Sequence, residues 1–142
     1  MQKLLFLDFD GVLHSTSAGM DALFNRAEDL ADSLLGAQCS VVISSSWRFH
    51  HDFNALKKFL PLSLRPLIQG VTGSPVVGRW SRFEEIQQYL YQQAKTCDWR
   101  ALDDAFLEFP RICPNLIRCH PKRGFSERER LILQEWLQQP GA

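Results

Sequence analysis

Continuous apolar runs alternate along the chain with stretches in which apolar residues return every third or fourth position. Leu4, Leu5, Phe6 and Leu7 form a run of the kind that a strand buried on both faces shows, and Val41, Val42 and Ile43, behind Cys39 and Ser40, form a second. Between them Leu23, Phe24, Ala27, Leu30, Ala31 and Leu34 recur at helical spacing, which predicts an amphipathic helix over residues 21–35 ended by Gly36. Asp52 is placed to cap a short helix carrying Phe53, Leu56, Phe59 and Leu60 and closed by Pro61. Residues 61–75 read mainly as loop; Leu67 and Ile68 suit a short third strand, and Pro66, Gly70, Gly73 and Pro75 interrupt anything longer. Ser81 and Glu84 have capping-box spacing, and Phe83, Ile86, Tyr89 and Leu90 stripe the helix behind them, predicted to end near Ala94 or Lys95. Residues 99–102 and 115–119 are the remaining strand candidates. Ser126 and Glu129 repeat the capping box ahead of a last helix with Leu131, Ile132, Leu133, Trp136 and Leu137.

Strand and helix in alternation predict a parallel sheet between two layers of helices, joined by right-handed crossovers. The expected fold is α/β, a single Rossmann-like three-layer domain over residues 1–142 with a central, mostly parallel sheet. The length suits one domain, 45% hydrophobic residues suffice for its core, and neither a repeat nor a linker marks a second unit. Formal net charge is zero, which excludes a global basic field, although Arg111, Arg118, Lys122, Arg123, Arg128 and Arg130 make the last third locally basic around Glu127 and Glu129. Four cysteines without a Cys-x-x-Cys pair, and no secretory leader, point to reduced thiols in a cytoplasm. No apolar stretch approaches the roughly 20 residues of a membrane helix.

Chemistry enters at the strand ends. The first run leads into Asp8-Phe9-Asp10-Gly11, the second into Ser44-Ser45-Ser46-Trp47-Arg48, and residues 99–102 into Asp103-Asp104. In a parallel sheet all three ends face one edge, where ligands bind in folds of this type. A calcium loop does not account for the first pair, because the fifth position counted from Asp8 is Val12 and the twelfth is Gly19. Four acids brought together repel, and a divalent cation offsets that charge; hard oxygen ligands without spaced His or Cys favour magnesium.

These motifs resemble those of the haloacid dehalogenase (HAD) superfamily of phosphotransferases, and the resemblance covers nearly the whole chain. Ser-Ser-Trp-Arg, Arg82-x-x-Glu85-Ile86 and Trp99-x-x-Leu102-Asp103-Asp104 are similar, more narrowly, to the small capless subgroup of nucleic-acid repair phosphatases, the polynucleotide kinase-phosphatase-like domains. The resemblance implies Asp8 as nucleophile, Asp10 as acid and then base, Ser44 or Ser45 as the hydroxyl that holds the phosphate, and Mg2+ held by Asp8, the backbone carbonyl of Asp10, and Asp103 and Asp104. It also implies a basic residue beside the phosphate, for which Arg82 is the first candidate, Arg79 the second and Lys95 the third. Arg48 and His14 are candidate substrate contacts, each set against a surface role, since a lone His in a turn is ordinarily solvated. Trp47 and Trp99 read as core. The windows in which the superfamily inserts its caps are too short here, so no cap domain is expected, and an open mouth suits a large substrate such as a nucleic-acid end or a phosphoprotein better than an enclosed small metabolite; the resemblance itself points to nucleic-acid ends or nucleotides. The expectation is therefore a magnesium-dependent phosphatase working through an aspartyl-phosphate. The alternative is a non-catalytic, receiver-like phospho-accepting module, which would have no use for Asp10. Oligomeric state is not legible.

Overall fold

The first apolar run forms β1 (Gln2–Leu7), and the computed structural model, which describes residues 1–140, places it at the centre of a five-stranded sheet. Its partners are β2 (Cys39–Ile43), β3 (Ile68–Val71), β4 (Cys97–Asp103) and β5 (Leu116–Arg118), in the order β3-β2-β1-β4-β5 with every pair parallel. Leu4 to Leu7 have no exposed surface because both faces of β1 are covered. Leu5 and Leu7 pack against one layer made by α1 (Ala27–Leu34), α2 (Phe53–Lys58) and α4 (Glu127–Gln138), through Leu30, Leu34, Leu56, Leu133 and Trp136. Leu4 and Phe6 pack against the other, where α3 (Ser81–Tyr91) supplies Ile86. The domain is a three-layer, Rossmann-like α/β fold, and the segments between strands hold helices and turns without an inserted cap domain. No helix among the described residues is long and apolar enough to cross a membrane.

Lys3 is an exception to the apolar filling of β1. It is buried, and its ammonium donates to the carbonyls of Trp136 at 2.7 Å, of Leu137 at 3.1 Å and of Gln139, which satisfies acceptors that the end of α4 would otherwise leave open.

Several predicted boundaries move, each for a local reason. The helix expected over residues 21–35 shrinks to α1; Met20–Ala22 form a 3-10 turn and Phe24 sits at φ 59°. The Phe24 ring packs on Phe9 and Phe59 at 5.4 Å and on Trp47 at 5.2 Å, and its amide donates to His14 Nδ1, so tertiary contacts override the helical period there. At α3 the expected capping box does not form, because Ser81 lies inside the helix and its hydroxyl donates to Glu108 Oε1 at 2.9 Å. That helix ends at Tyr91, short of Ala94, and β4 begins two residues before the predicted Trp99. Gly70 lies within β3 and does not interrupt it; a Cβ there would come 2.6 Å from the Tyr89 hydroxyl. The second capping box, Ser126 with Glu129, does form at α4.

Candidate active site at the carboxyl edge of the sheet

Strand register brings the functional side chains together. Leu7 lies opposite Ile43 on one side and Leu102 on the other, so the next residues, Asp8, Ser44 and Asp103, are level with one another. The ladder continues past the strand ends, with the Asp8 amide donating to the Leu102 carbonyl at 3.1 Å and the Ser44 amide to the Leu7 carbonyl at 2.8 Å. Convergence of residues far apart in sequence is thus a consequence of parallel pairing around β1.

Asp8, Asp103 and Asp104 each present a ligand oxygen, and all three oxygens lie within 4.8 Å of one another. Gly11 makes room for the third. It adopts φ +76°, and a Cβ on it would stand 2.2 Å from Asp104 Oδ2, inside any tolerable contact. Arg82, on the first turn of α3, reaches across to place Nη1 at 3.4 Å from both Asp8 Oδ1 and Asp103 Oδ2, and it donates to the Ser44 carbonyl. Burial pushes the Asp8 carboxyl well above the usual range, with the charge of Asp103 adding and Arg82 opposing. Burial likewise raises Asp103 to about 6 against the pull of Arg82, and raises Asp104. Burial works against the charge of Arg82, but Asp103 and Asp8 more than offset it and raise its pKa.

Three carboxylates and one guanidinium leave two negative charges when all are ionised, the charge that one divalent cation offsets. Oxygen donors at this spacing fit Mg2+. Asp10 does not add its side chain to the cluster; only its backbone is available to join a metal set there.

The two serines separate clearly. Ser45 Oγ accepts the Trp47 amide at 3.2 Å and caps the 3-10 turn Ser46–Phe49. Ser44 Oγ is buried without any hydrogen-bond partner, and among the described residues no other buried side-chain polar atom is left so. An orphaned buried hydroxyl costs about 1–3 kcal/mol, which the fold itself has no need of. It fits a phosphate oxygen as the missing partner.

Asp10 stands beside this cluster with its carboxylate half exposed and both oxygens held. His14 Nε2 lies 2.8 Å from Oδ1, and Trp47 Nε1 donates to Oδ2 at 3.0 Å. His14 is not solvated as its turn position suggested: it is 1% exposed, and its Nδ1 accepts the Phe24 amide at 3.2 Å. Nδ1 is therefore the bare nitrogen of the neutral ring, and Nε2 carries the proton that it donates to Asp10. Trp47 is part of the site as well as of the core, while Trp99 packs on Phe6 away from it. The contacts of His14 and Trp47 with Asp10 had no sequence signal beyond nearness to the motif.

Arg48 turns inward. Its Nε donates to the Gly73 carbonyl and its Nη1 to the Ser45 carbonyl, both at 2.9 Å, and its Nη2 bonds Glu85 Oε1 at 2.8 Å. All three nitrogens are occupied in bracing the serine loop to α3, so Arg48 is a strut and not a free substrate contact. Glu85, whose other oxygen accepts the Val76 amide at 3.1 Å, is its unforeseen partner. Arg79 is exposed with its guanidinium 5.1 Å from the Trp80 ring, and Lys95 is exposed beyond α3 at the opposite end of the sheet, so of the three basic candidates only Arg82 touches the acids.

The model of a family described as the HAD domain in Swiss Army Knife RNA repair proteins matches residues 4–129, a span that contains every residue of this site. No curated protein and no solved structure matches the chain.

Proposed function

Because the chain belongs to this family of HAD domains, we propose that it is a phosphatase that hydrolyses phosphate monoesters through an aspartyl-phosphate on Asp8, with a phosphate at a nucleic-acid end as its substrate. The observation that carries this reading is the meeting of buried Asp8 and Asp103 and half-buried Asp104 with Arg82, whose charge is unbalanced without a cation.

Asp8 and Asp103 with Asp104 would hold Mg2+, together with the carbonyl of Asp10. Bound there, the ion would offset the repulsion between a carboxylate nucleophile and a phosphate dianion. The steps belong to the side chains. A carboxylate oxygen of Asp8 attacks phosphorus, the ester P–O bond breaks, and Asp10 delivers its proton to the departing alkoxide. Asp10, now a carboxylate, takes a proton from water; the hydroxyl attacks phosphorus and the bond to Asp8 breaks, which releases inorganic phosphate and restores Asp8. Arg82 and the Ser44 hydroxyl are fixed donors for the equatorial oxygens, where transition-state charge collects. The hydrogen bonds from His14 and Trp47 aim Asp10, an arrangement that a receiver module, whose phosphoryl group persists, would not need.

The purified chain with Mg2+ is expected to turn over a generic aryl phosphate. Asp8→Asn should remove turnover by at least roughly 10³-fold, and EDTA should abolish it reversibly. Well-folded protein that hydrolyses nothing across a panel including 3′-phosphate and 5′-phosphate oligonucleotides would refute the proposal.

A further inference from the structure

A cleft of about 690 Å³ opens at the β5 edge of the sheet, and its charged lining is three arginines, Arg79, Arg111 and Arg118, with no carboxylate among them. All three are exposed, and among the described residues none makes an ion pair. This sets them apart from Arg128 and Arg130, which are spent on Glu129 and Glu127. The positive charge of this groove is thus uncompensated within it. Two flat surfaces stand in the same groove. The Arg118 guanidinium lies 3.5 Å from the centre of the half-exposed Phe106 ring, and that of Arg79 lies 5.1 Å from the centre of Trp80.

Residues of the cleft adjoin those of the site along the backbone and the sheet. Arg118 pairs with Asp103 in the β4–β5 register, the Phe106 amide donates to the Asp104 carbonyl at 2.9 Å, and Trp80 precedes Arg82 by two residues. Resting on the phosphatase reading above, we propose that this cleft binds the unpaired nucleotides adjoining the phosphate-bearing end of a single nucleic-acid strand. The arginines contact the backbone phosphates, and the arginine–aromatic faces stack on bases. Charge selects a polyanion, and exposed flat faces reward bases only when they are unstacked from a partner strand. A duplex presents its phosphates but not its base faces, so the single strand is the occupant this surface fits.

The test is binding by the full chain of labelled single-stranded oligonucleotides that lack a terminal phosphate, so that affinity is read without turnover, with ribose and deoxyribose strands side by side to identify the sugar. Removing all three side chains as Arg79→Ala, Arg111→Ala and Arg118→Ala should weaken binding at least tenfold and reduce the slope of log affinity against log salt by about 2, roughly 0.7 for each lost contact. Phe106→Ala should weaken binding severalfold and leave that slope unchanged, since stacking releases no counterions. The positions are exposed, so folding is preserved, and replacing the arginines by lysine should restore most of the slope. An unchanged slope in the triple variant, tighter binding of a duplex than of its single strand, or arginine-dependent binding of an acidic phosphopeptide in preference to the oligonucleotide would overturn the proposal. Absence of aryl phosphate hydrolysis would refute the phosphatase reading separately, because this binding requires no chemistry.

Discussion

The metal-free protein should lose stability as pH rises, the reverse of the usual acid denaturation, and Asp103 is the group through which to measure it. Its carboxyl titrates at about 6 in the fold against 3.8 ordinarily, because burial disfavours its charge. The folded state therefore holds a proton that the unfolded chain has released. With more protons bound to the native state, the free energy of unfolding falls with increasing pH between the two values. The stabilising contribution is complete below about pH 4 and lost as pH passes through 6. Two pKa units at ~1.4 kcal/mol each make this about 3 kcal/mol, or roughly 10 to 15 °C in melting temperature for a domain of this size. Asp103→Asn carries no such charge, so the difference between wild type and variant reports Asp103 together with the shift its charge imposes on Asp8, apart from the groups outside the cluster. In EDTA, thermal melts from pH 4 to pH 8 should show the variant gaining on wild type by that amount. Added Mg2+ should erase the gain by stabilising wild type at neutral pH. A difference that stays constant with pH, or that shifts in favour of wild type as pH rises, would refute the claim that this cluster carries unbalanced charge.

Other outcomes follow from single contacts. Ser44→Ala should lower kcat by about 10²-fold, the usual cost of one lost donor to transition-state charge, while leaving the melting temperature unchanged or higher; Ser45→Ala should instead cost about 1 kcal/mol of stability, because its hydroxyl is spent on a cap. Trp47→Phe keeps the ring but removes a donor to Asp10, so turnover of an alkyl phosphate, which needs its leaving group protonated, should fall about tenfold more than that of a nitrophenyl phosphate; equal losses would count against a role in aiming the acid. Gly11→Ala should abolish Mg2+-induced stabilisation in a thermal melt, since its Cβ would displace the Asp104 carboxylate and its positive φ would cost about 1 kcal/mol besides.

The sheet and the placement of its tips were legible because continuous apolar runs and capping signals are local, and parallel pairing then leaves little freedom. Leu4 to Leu7 alone announce a strand covered on both faces, and Asp8, Ser44 and Asp103 follow from where such strands stop. What was illegible depends on contacts across the fold. Phe24 has the right period for a helix, but its ring is held among Phe9, Trp47 and Phe59. Ser81 has the right spacing for a box, yet Glu108 is a better partner for its hydroxyl. Which serine is idle, which arginine is free and which nitrogen of His14 bears a proton are decided by neighbours 10 to 38 residues away, as Phe24 is from His14 and Arg82 from Ser44. One sequence gives no period or motif for such pairings. Arg48 is the instructive case: its place near the site is evident from the serine run, but its use as a strut depends on Glu85, 37 residues on.

The position of β1 between β2 and β4 also sets a schedule. As the chain is synthesised, one flank of this apolar strand is paired once residue 43 is available, but the other must wait for residues 97–103. At about 5–20 residues per second that interval lasts roughly 3 to 12 seconds, during which a largely apolar strand offers an open hydrogen-bonding edge to any other nascent chain. Yield on expression should therefore respond to translation speed and temperature far more than the finished fold, with its edges carried by the short β3 and β5, would suggest.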